Sequence, residues 1–350
     1  MTNQADVVDW ATDFDVFEPA FMADPGPVYA ELRERAPVAH SDRWGGAWMP
    51  TRYEDVAAVA HDTVHFSSRD VGVTPGPNGA SLLVAPPITS DPPFHTASRR
   101  LLLPAFSPKS VDVLEPITRG IARELLDAIE ATGTTTADAA VQYAQYLPIR
   151  VIAQMIGLPR DDEEKFSDWV KRVLQVGPTN PEIARAANLE ILAYFRDHVA
   201  RRREERAPDL INYLMDSELD GAPLTDKHVL GTCFLLLLAG IDTTWSSIGS
   251  SLLHLAQTPA DRDRLVAEPE LIPTAVEEFL RAFAPVTMAR QTVVETEVGG
   301  RTIQPGERML LAFPAANRDP EVFDRPDEIV IDRAHNRHLA FGVGIHRCVG

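Results

Sequence analysis

The stretch Phe341-Gly342-Val343-Gly344-Ile345-His346-Arg347-Cys348-Val349-Gly350 carries more chemistry than any other ten residues of this 350-residue chain. Glycine tolerates positive φ and lets backbone approach a flat ligand, leaving amide N–H groups free to face a sulfur atom. A thiolate needs electropositive surroundings, which His346, Arg347 and a bound metal would supply. A lone cysteine is more often a small buried hydrophobe. Composition alone does not overturn that reading for Cys348 within the pattern Phe-Gly-x-Gly-x-His-x-Cys-x-Gly.

The sequence around this loop sets the frame. With 45% hydrophobic and 24% charged residues the chain has the composition of a folded protein rather than a disordered one. A chain of this length buries roughly three quarters of its unfolded surface and needs no disulfide to hold a core. Only Cys233 accompanies Cys348, so neither a disulfide framework nor a four-thiolate zinc site is possible. The excess of 51 acidic over 33 basic residues, a net charge of −18, repels nucleic acid and anionic membranes. Asp6, Asp9, Asp13, Asp15 and Glu18 replace the basic and apolar regions of a signal peptide, and the Val229–Ile241 apolar run is short for a bilayer. A cytoplasmic protein without membrane or nucleic-acid partners is expected.

Helical periodicity dominates. Apolar residues recur at Leu114, Ile117, Ile121, Leu125 and Ile129, and at Leu192, Phe195 and Val199. Strands are expected at Ala47–Met49, around the Gly299-Gly300 turn and over 308–313. The fold class is therefore mainly α with a minor β-sheet region. No repeat or Gly/Ser-rich linker divides residues 1–350, so a single domain is expected. The segment from Phe66 to Pro93, rich in Gly, Pro and Ser, also carries Leu82, Leu83, Val84 and Ile88, a pattern that suits a cover over a ligand pocket.

Other strings stand out. In 234–244 a long apolar run meets Asp242, Thr243 and Thr244; a buried Asp there costs several kcal/mol, of the order expected for an uncompensated charge. As an isolated pair, Asp242-Thr243 reads as a cap or kink. Glu278 and Arg281, three apart, can meet on one helix, where such pairs are commonly exposed and worth under about 1 kcal/mol. His95 and Arg99 are spaced i, i+4 at the start of a helix that Pro93 opens.

Together these strings resemble the cytochrome P-450 superfamily, in the family's order along the chain. The resemblance implies a P-450-like fold binding haem b (iron protoporphyrin IX). It implies that Cys348 is the axial ligand, that Phe341 packs by the porphyrin, and that Gly342 and Gly350 shape the loop around the cofactor. It makes His95, Arg99, Arg290 and His346 contacts of the propionates, for which guanidinium groups are well matched. Ala239 and Gly240 would leave room above the haem, Thr243 would hydrogen-bond the oxygen being activated, and Asp242 would gate proton delivery. Glu278 and Arg281 would form a structural pair behind the haem, with Arg318 or Arg333 as third partner. Leu236, Val286 and Thr287 would line the substrate pocket with parts of 70–90 and 177–181.

A soluble bacterial-type monooxygenase follows, inserting one atom of O2 into a hydrophobic small molecule. No flavin, nicotinamide or iron–sulfur fingerprint is present, so a ferredoxin or flavodoxin with its reductase is the implied donor. Two alternatives stand beside it: a haem-thiolate enzyme using peroxide, and a non-catalytic haem-binding or ligand-sensing protein. The family continues for tens of residues beyond its cysteine, so the resemblance implies a domain truncated after the loop, with a partly uncovered proximal haem face.

Overall fold

The computed structural model of the chain describes residues 6–76 and 84–350. Helices dominate, as the periodicity predicts, and the strands are few and short. The chain divides into two compact units, one of residues 1–81 with 253–348 and one of 82–252 with 349–350.

Nine strands occur among the described residues: β1 (Val38–Ser41), β2 (Ala47–Pro50), β3 (Phe66–Ser67), β4 (Glu218–Leu219), β5 (Ala222–Pro223), β6 (Thr287–Thr292), β7 (Thr296–Val298), β8 (Arg301–Ile303) and β9 (Arg308–Ala312). In the first unit β1, β2, β9, β6 and β3 form a sheet in that order, with only β2 and β9 parallel. Strand β9 is apolar on both faces: Leu310 and Ala312 join one core cluster, Met309 and Leu311 another. That explains why its sequence is continuous rather than alternating. The β7–β8 hairpin turns at Gly299-Gly300; Gly299 has φ +54°, and a Cβ there would stand 2.5 Å from Val38 Cγ2.

The second unit is built on the helices Phe94–Leu102, Leu114–Ala131, Tyr146–Ile156, Glu163–Val170 and Pro181–Glu204, and on most of the long helix Asp226–Gln257. The Thr225 hydroxyl accepts the His228 N–H at the long helix's entry, and Pro259 opens the next helix just after its end. Ile149, Ile156, Phe166, Phe195, Ile211, Leu237 and Ile241 belong to one core cluster. Gly157 stops the Tyr146–Ile156 helix with φ +88°, where a Cβ would fall 2.2 Å from Asp209 Oδ2. The long helix continues past Asp242, so by length and composition it could cross a membrane; 56% of its apolar window is buried inside the protein.

Candidate functional site

The cysteine loop lies in the first unit. Gly342 and Gly344 adopt φ of +65° and +76°. At Gly344 a Cβ would stand 2.8 Å from the Ala60 carbonyl oxygen and 3.3 Å from His61 Nδ1, so this glycine is required by space and by backbone conformation alike. His346 ends a short 3₁₀ turn, Gly344–His346. The Cys348 N–H then donates to the Phe341 carbonyl at 2.8 Å, closing the loop on itself. The Cys348 thiol is exposed and outside any disulfide, whereas Phe341 is half-buried with its ring 5.9 Å from that of His338. Cys233 is the opposite case: burial pushes its thiol up to about 12, which leaves it an inert core residue.

Beneath the loop lies a buried charge network. Glu278 and Arg281 sit one turn apart on the Ile272–Ala282 helix, and both are fully buried. Arg281 Nε and Nη2 donate to the two Glu278 carboxylate oxygens at 2.8 and 2.9 Å. The remaining Arg281 donors meet the carbonyls of Asn317, Pro326 and Glu328. Glu278 also accepts from Arg333 Nε at 2.9 Å, the Val330 N–H at 2.8 Å and Asn336 Nδ2 at 3.1 Å. The third partner is thus Arg333; Arg318 instead bonds Asp327 and the Ala282 carbonyl. Burial pushes the Glu278 carboxyl up, but Arg281, Arg333 and the Val330 amide outweigh it and hold the group below its ordinary range. Asn317 passes the network on to the loop, since its side chain donates to the Arg281 carbonyl and accepts the Leu339 N–H at 2.6 Å.

Arg290, on β6, is buried at 4% exposure and donates to the Ala289 carbonyl at 2.8 Å. Val286 packs on the cluster around Met309 and Leu311. The Thr287 hydroxyl is hydrogen-bonded to the Tyr29 phenol, which burial raises well above its usual range.

In the second unit His95 lies in the first turn of the Phe94–Leu102 helix with 1% exposure, and Arg99 follows one turn later, half-buried. Leu236 is buried in the core cluster of this unit. Ala239 is exposed, and a Cβ at Gly240 would lie 3.0 Å from Ile152 Cδ1. Gly240 is small where two helices pack closely. The Thr243 hydroxyl donates to the Ala239 carbonyl at 2.9 Å. Asp242 Oδ1 accepts from Gln175 Nε2 at 3.3 Å and the carboxylate is also bonded by Trp245. Burial raises its pKa above the ordinary carboxylate range, and the two neutral donors offset that only in part.

Of the segment expected to cover a pocket, residues 77–83, with Leu82 and Leu83, lie outside the described residues. Arg333 was one of two candidates in the sequence, while Asn317, Asn336 and Gln175 carry no local signal of their roles.

The donor set suits haem. Among the described residues no three His, Cys, Asp or Glu side chains are grouped to hold a metal ion. Cys348 offers one exposed thiol in a glycine-shaped loop, the donor needed by a metal that brings its equatorial ligands with it. His95 and Arg290 are buried groups able to meet carboxylates.

The family model described as Cytochrome P450 matches residues 182–350. The chain is 35% identical over 328 residues to mycinamicin IV hydroxylase/epoxidase of Micromonospora griseorubida, covering 92% of this chain and 82% of that protein. It is 36% identical over 341 residues to nocardicin C N-oxygenase of Nocardia uniformis subsp. tsuyamanensis, covering 93% and 83%. The solved structure of cytochrome P450 CYP109Q5 from Chondromyces apiculatus superposes with a TM-score of 0.86 at 34% identity, covering 98% of this chain and 86% of that one. The chain belongs to the cytochrome P450 family, and the enzyme class is that of its monooxygenases.

Proposed function

We propose that residues 1–350 form one haem b-dependent monooxygenase domain that oxidises a hydrophobic small organic substrate with O2 and two externally supplied electrons. The observation that carries this reading is the exposed Cys348 thiol on a loop whose base is tied, through Asn317, to the buried Glu278–Arg281 network. Haem bound through Cys348 would supply the oxygen-activating chemistry, with the thiolate pushing electron density toward O–O cleavage.

The chain's own residues have distinct tasks in this reading. Arg290, His95, Arg99 and His346 would hold the propionates, and Phe341, Gly342 and Gly350 would shape the seat of the cofactor. The small Ala239 side chain keeps the helix surface open. Thr243, whose hydroxyl rests on the Ala239 carbonyl, can turn to donate toward a ligand above that surface. Asp242, whose pKa burial raises above the ordinary carboxylate range, holds a proton more readily than an exposed aspartate and is placed to pass it on. Leu236, Val286 and Thr287 contribute to a largely apolar substrate environment. A ferredoxin or flavodoxin with its reductase supplies the electrons, and the protein works in the cytoplasm without membrane or nucleic-acid partners.

The relatives' names, hydroxylase, epoxidase and N-oxygenase, support oxygen insertion over non-catalytic haem binding. The test is turnover of a panel of apolar compounds under ¹⁸O2 with a ferredoxin, its reductase and NADPH. One labelled oxygen per product molecule is expected. The same product formed from peroxide alone at the same rate, with no dependence on the electron donor, would overturn the O2-dependent reading in favour of peroxide chemistry.

A further inference from the structure

The Glu163–Val170 helix runs into a π-helical turn, Lys171–Val176, before the Pro181–Glu204 helix begins. Wide turns of this kind are uncommon and often re-aim a side chain at a functional place. Here the side chain is Gln175, whose amide reaches the central helix and donates to Asp242 Oδ1 at 3.3 Å. The turn's exit is sterically tight: a Cβ on Gly177 would stand 2.4 Å from the Val173 carbonyl oxygen and 2.8 Å from Ala184 Cβ, at the start of the next helix.

The charged groups nearby are engaged elsewhere or point out. Arg172, on the same turn, is bound by Glu190 through both terminal nitrogens at 2.7 Å and by Asp168 at 3.1 Å. Lys171 is exposed. From the Tyr146–Ile156 helix, which meets Gly240 through Ile152, Arg150 is paired with Glu163. On the central helix itself residues 229–253 contain no other charged side chain. Among the described residues, Asp242 is bonded by the neutral donors of Gln175 and Trp245.

We propose that Gln175 is a positioning residue for oxygen activation: its amide holds the Asp242 carboxyl in place and couples the acid to the position of the 171–177 turn. The inference rests on the reading of Asp242 as the proton-handling acid. An amide donor stabilises the carboxylate without supplying a charge, so the acid stays oriented yet remains protonatable. A cation at the same point would orient it equally well but hold it ionised.

The test uses haem-loaded protein labelled with carboxyl-¹³C aspartate, in the reduced carbon monoxide form, with the Asp242 resonance assigned from Asp242→Asn. Gln175→Leu is expected to raise the titration midpoint of Asp242 by at least about 0.5 pH unit and Gln175→Lys to lower it by at least as much, as expected for losing a donor and gaining a cation. Because Gln175 is exposed, both variants are expected to keep the wild-type fold; Gln175→Asn, one methylene shorter, should behave as Gln175→Leu. Identical midpoints in wild type and all three variants overturn the proposal. A separate arm measures the share of donor electrons released as hydrogen peroxide. Gln175→Leu should at least double that share, with partial return in Gln175→Lys at low pH. Shifted midpoints with no change of peroxide share in Asp242→Asn would keep the contact between Gln175 and Asp242 while removing Asp242 from proton handling, and with it the role of Gln175 in oxygen activation.

Discussion

Glu278 and Asp242 are both acids withdrawn from water, and the protein treats them in opposite ways. Glu278 is surrounded by two guanidinium groups, a backbone amide and Asn336, and its pKa falls. Asp242 receives one amide and one indole, and its pKa rises. The first arrangement fixes a charge that, with Arg281, organises backbone carbonyls; the second raises the acid's affinity for a proton. A buried acid surrounded by cations is a structural joint, whereas one bonded only by neutral donors is equipped to exchange a proton.

The largest predicted effect follows from breaking the joint. Arg281→Ala leaves Glu278 buried with one cation fewer and strips donors from three carbonyls, so a loss of about 3–5 kcal/mol is expected, the range for an uncompensated buried charge. Urea unfolding should show it as a lower midpoint. Retention of wild-type stability would remove the network from the account of the cysteine loop.

Gly344→Ala should come next. The new Cβ would press on the Ala60 carbonyl from a left-handed backbone, a conformation costing about 1–3 kcal/mol for residues other than glycine. Faster haem loss than wild type is expected when apomyoglobin is present as a trap, and an unchanged rate would mean the loop relaxes without cost.

The pH dependence of stability sharpens the comparison through its signs. Glu278, with a lowered folded pKa, contributes stability above its ordinary value of 4.5 that is lost as pH falls through the folded value. Asp242, with a raised folded pKa, has the reverse effect: the folded state holds the proton longer, so stability falls as pH rises from 3.8 through the folded value. Glu278→Gln should therefore destabilise at neutral pH and converge toward wild type in acid. Asp242→Asn should lie slightly above wild type at neutral pH and lose that advantage below pH 4. Urea midpoints from pH 3 to 8 would check both, and like signs for the two variants would contradict the contrast.

The sequence makes one side of this contrast visible more readily than the other. The glycine-cysteine loop is legible because its residues are contiguous, and the amphipathic helices are legible because their apolar spacing is local. The pair Glu278 and Arg281 looks like a surface bridge by spacing alone; what buries it comes from Asn317, Pro326, Glu328, Arg333 and Asn336, which are 36 to 58 residues away. Gln175 is equally silent, since nothing in Lys171–Val176 announces a widened turn. At Gly240 the small size is apparent in the sequence, but its packing against Ile152 of a neighbouring helix is not.

The central claim is that Cys348 presents a thiolate to haem iron. The direct measurement is the Soret spectrum of the haem-loaded, reduced protein under carbon monoxide, for wild type and Cys348→Ser. The account predicts a strongly red-shifted thiolate band in the wild type that is absent from the variant, with helical content unchanged by circular dichroism. A wild-type spectrum at the ordinary imidazole-type position, or a red-shifted band that survives in Cys348→Ser, would contradict it.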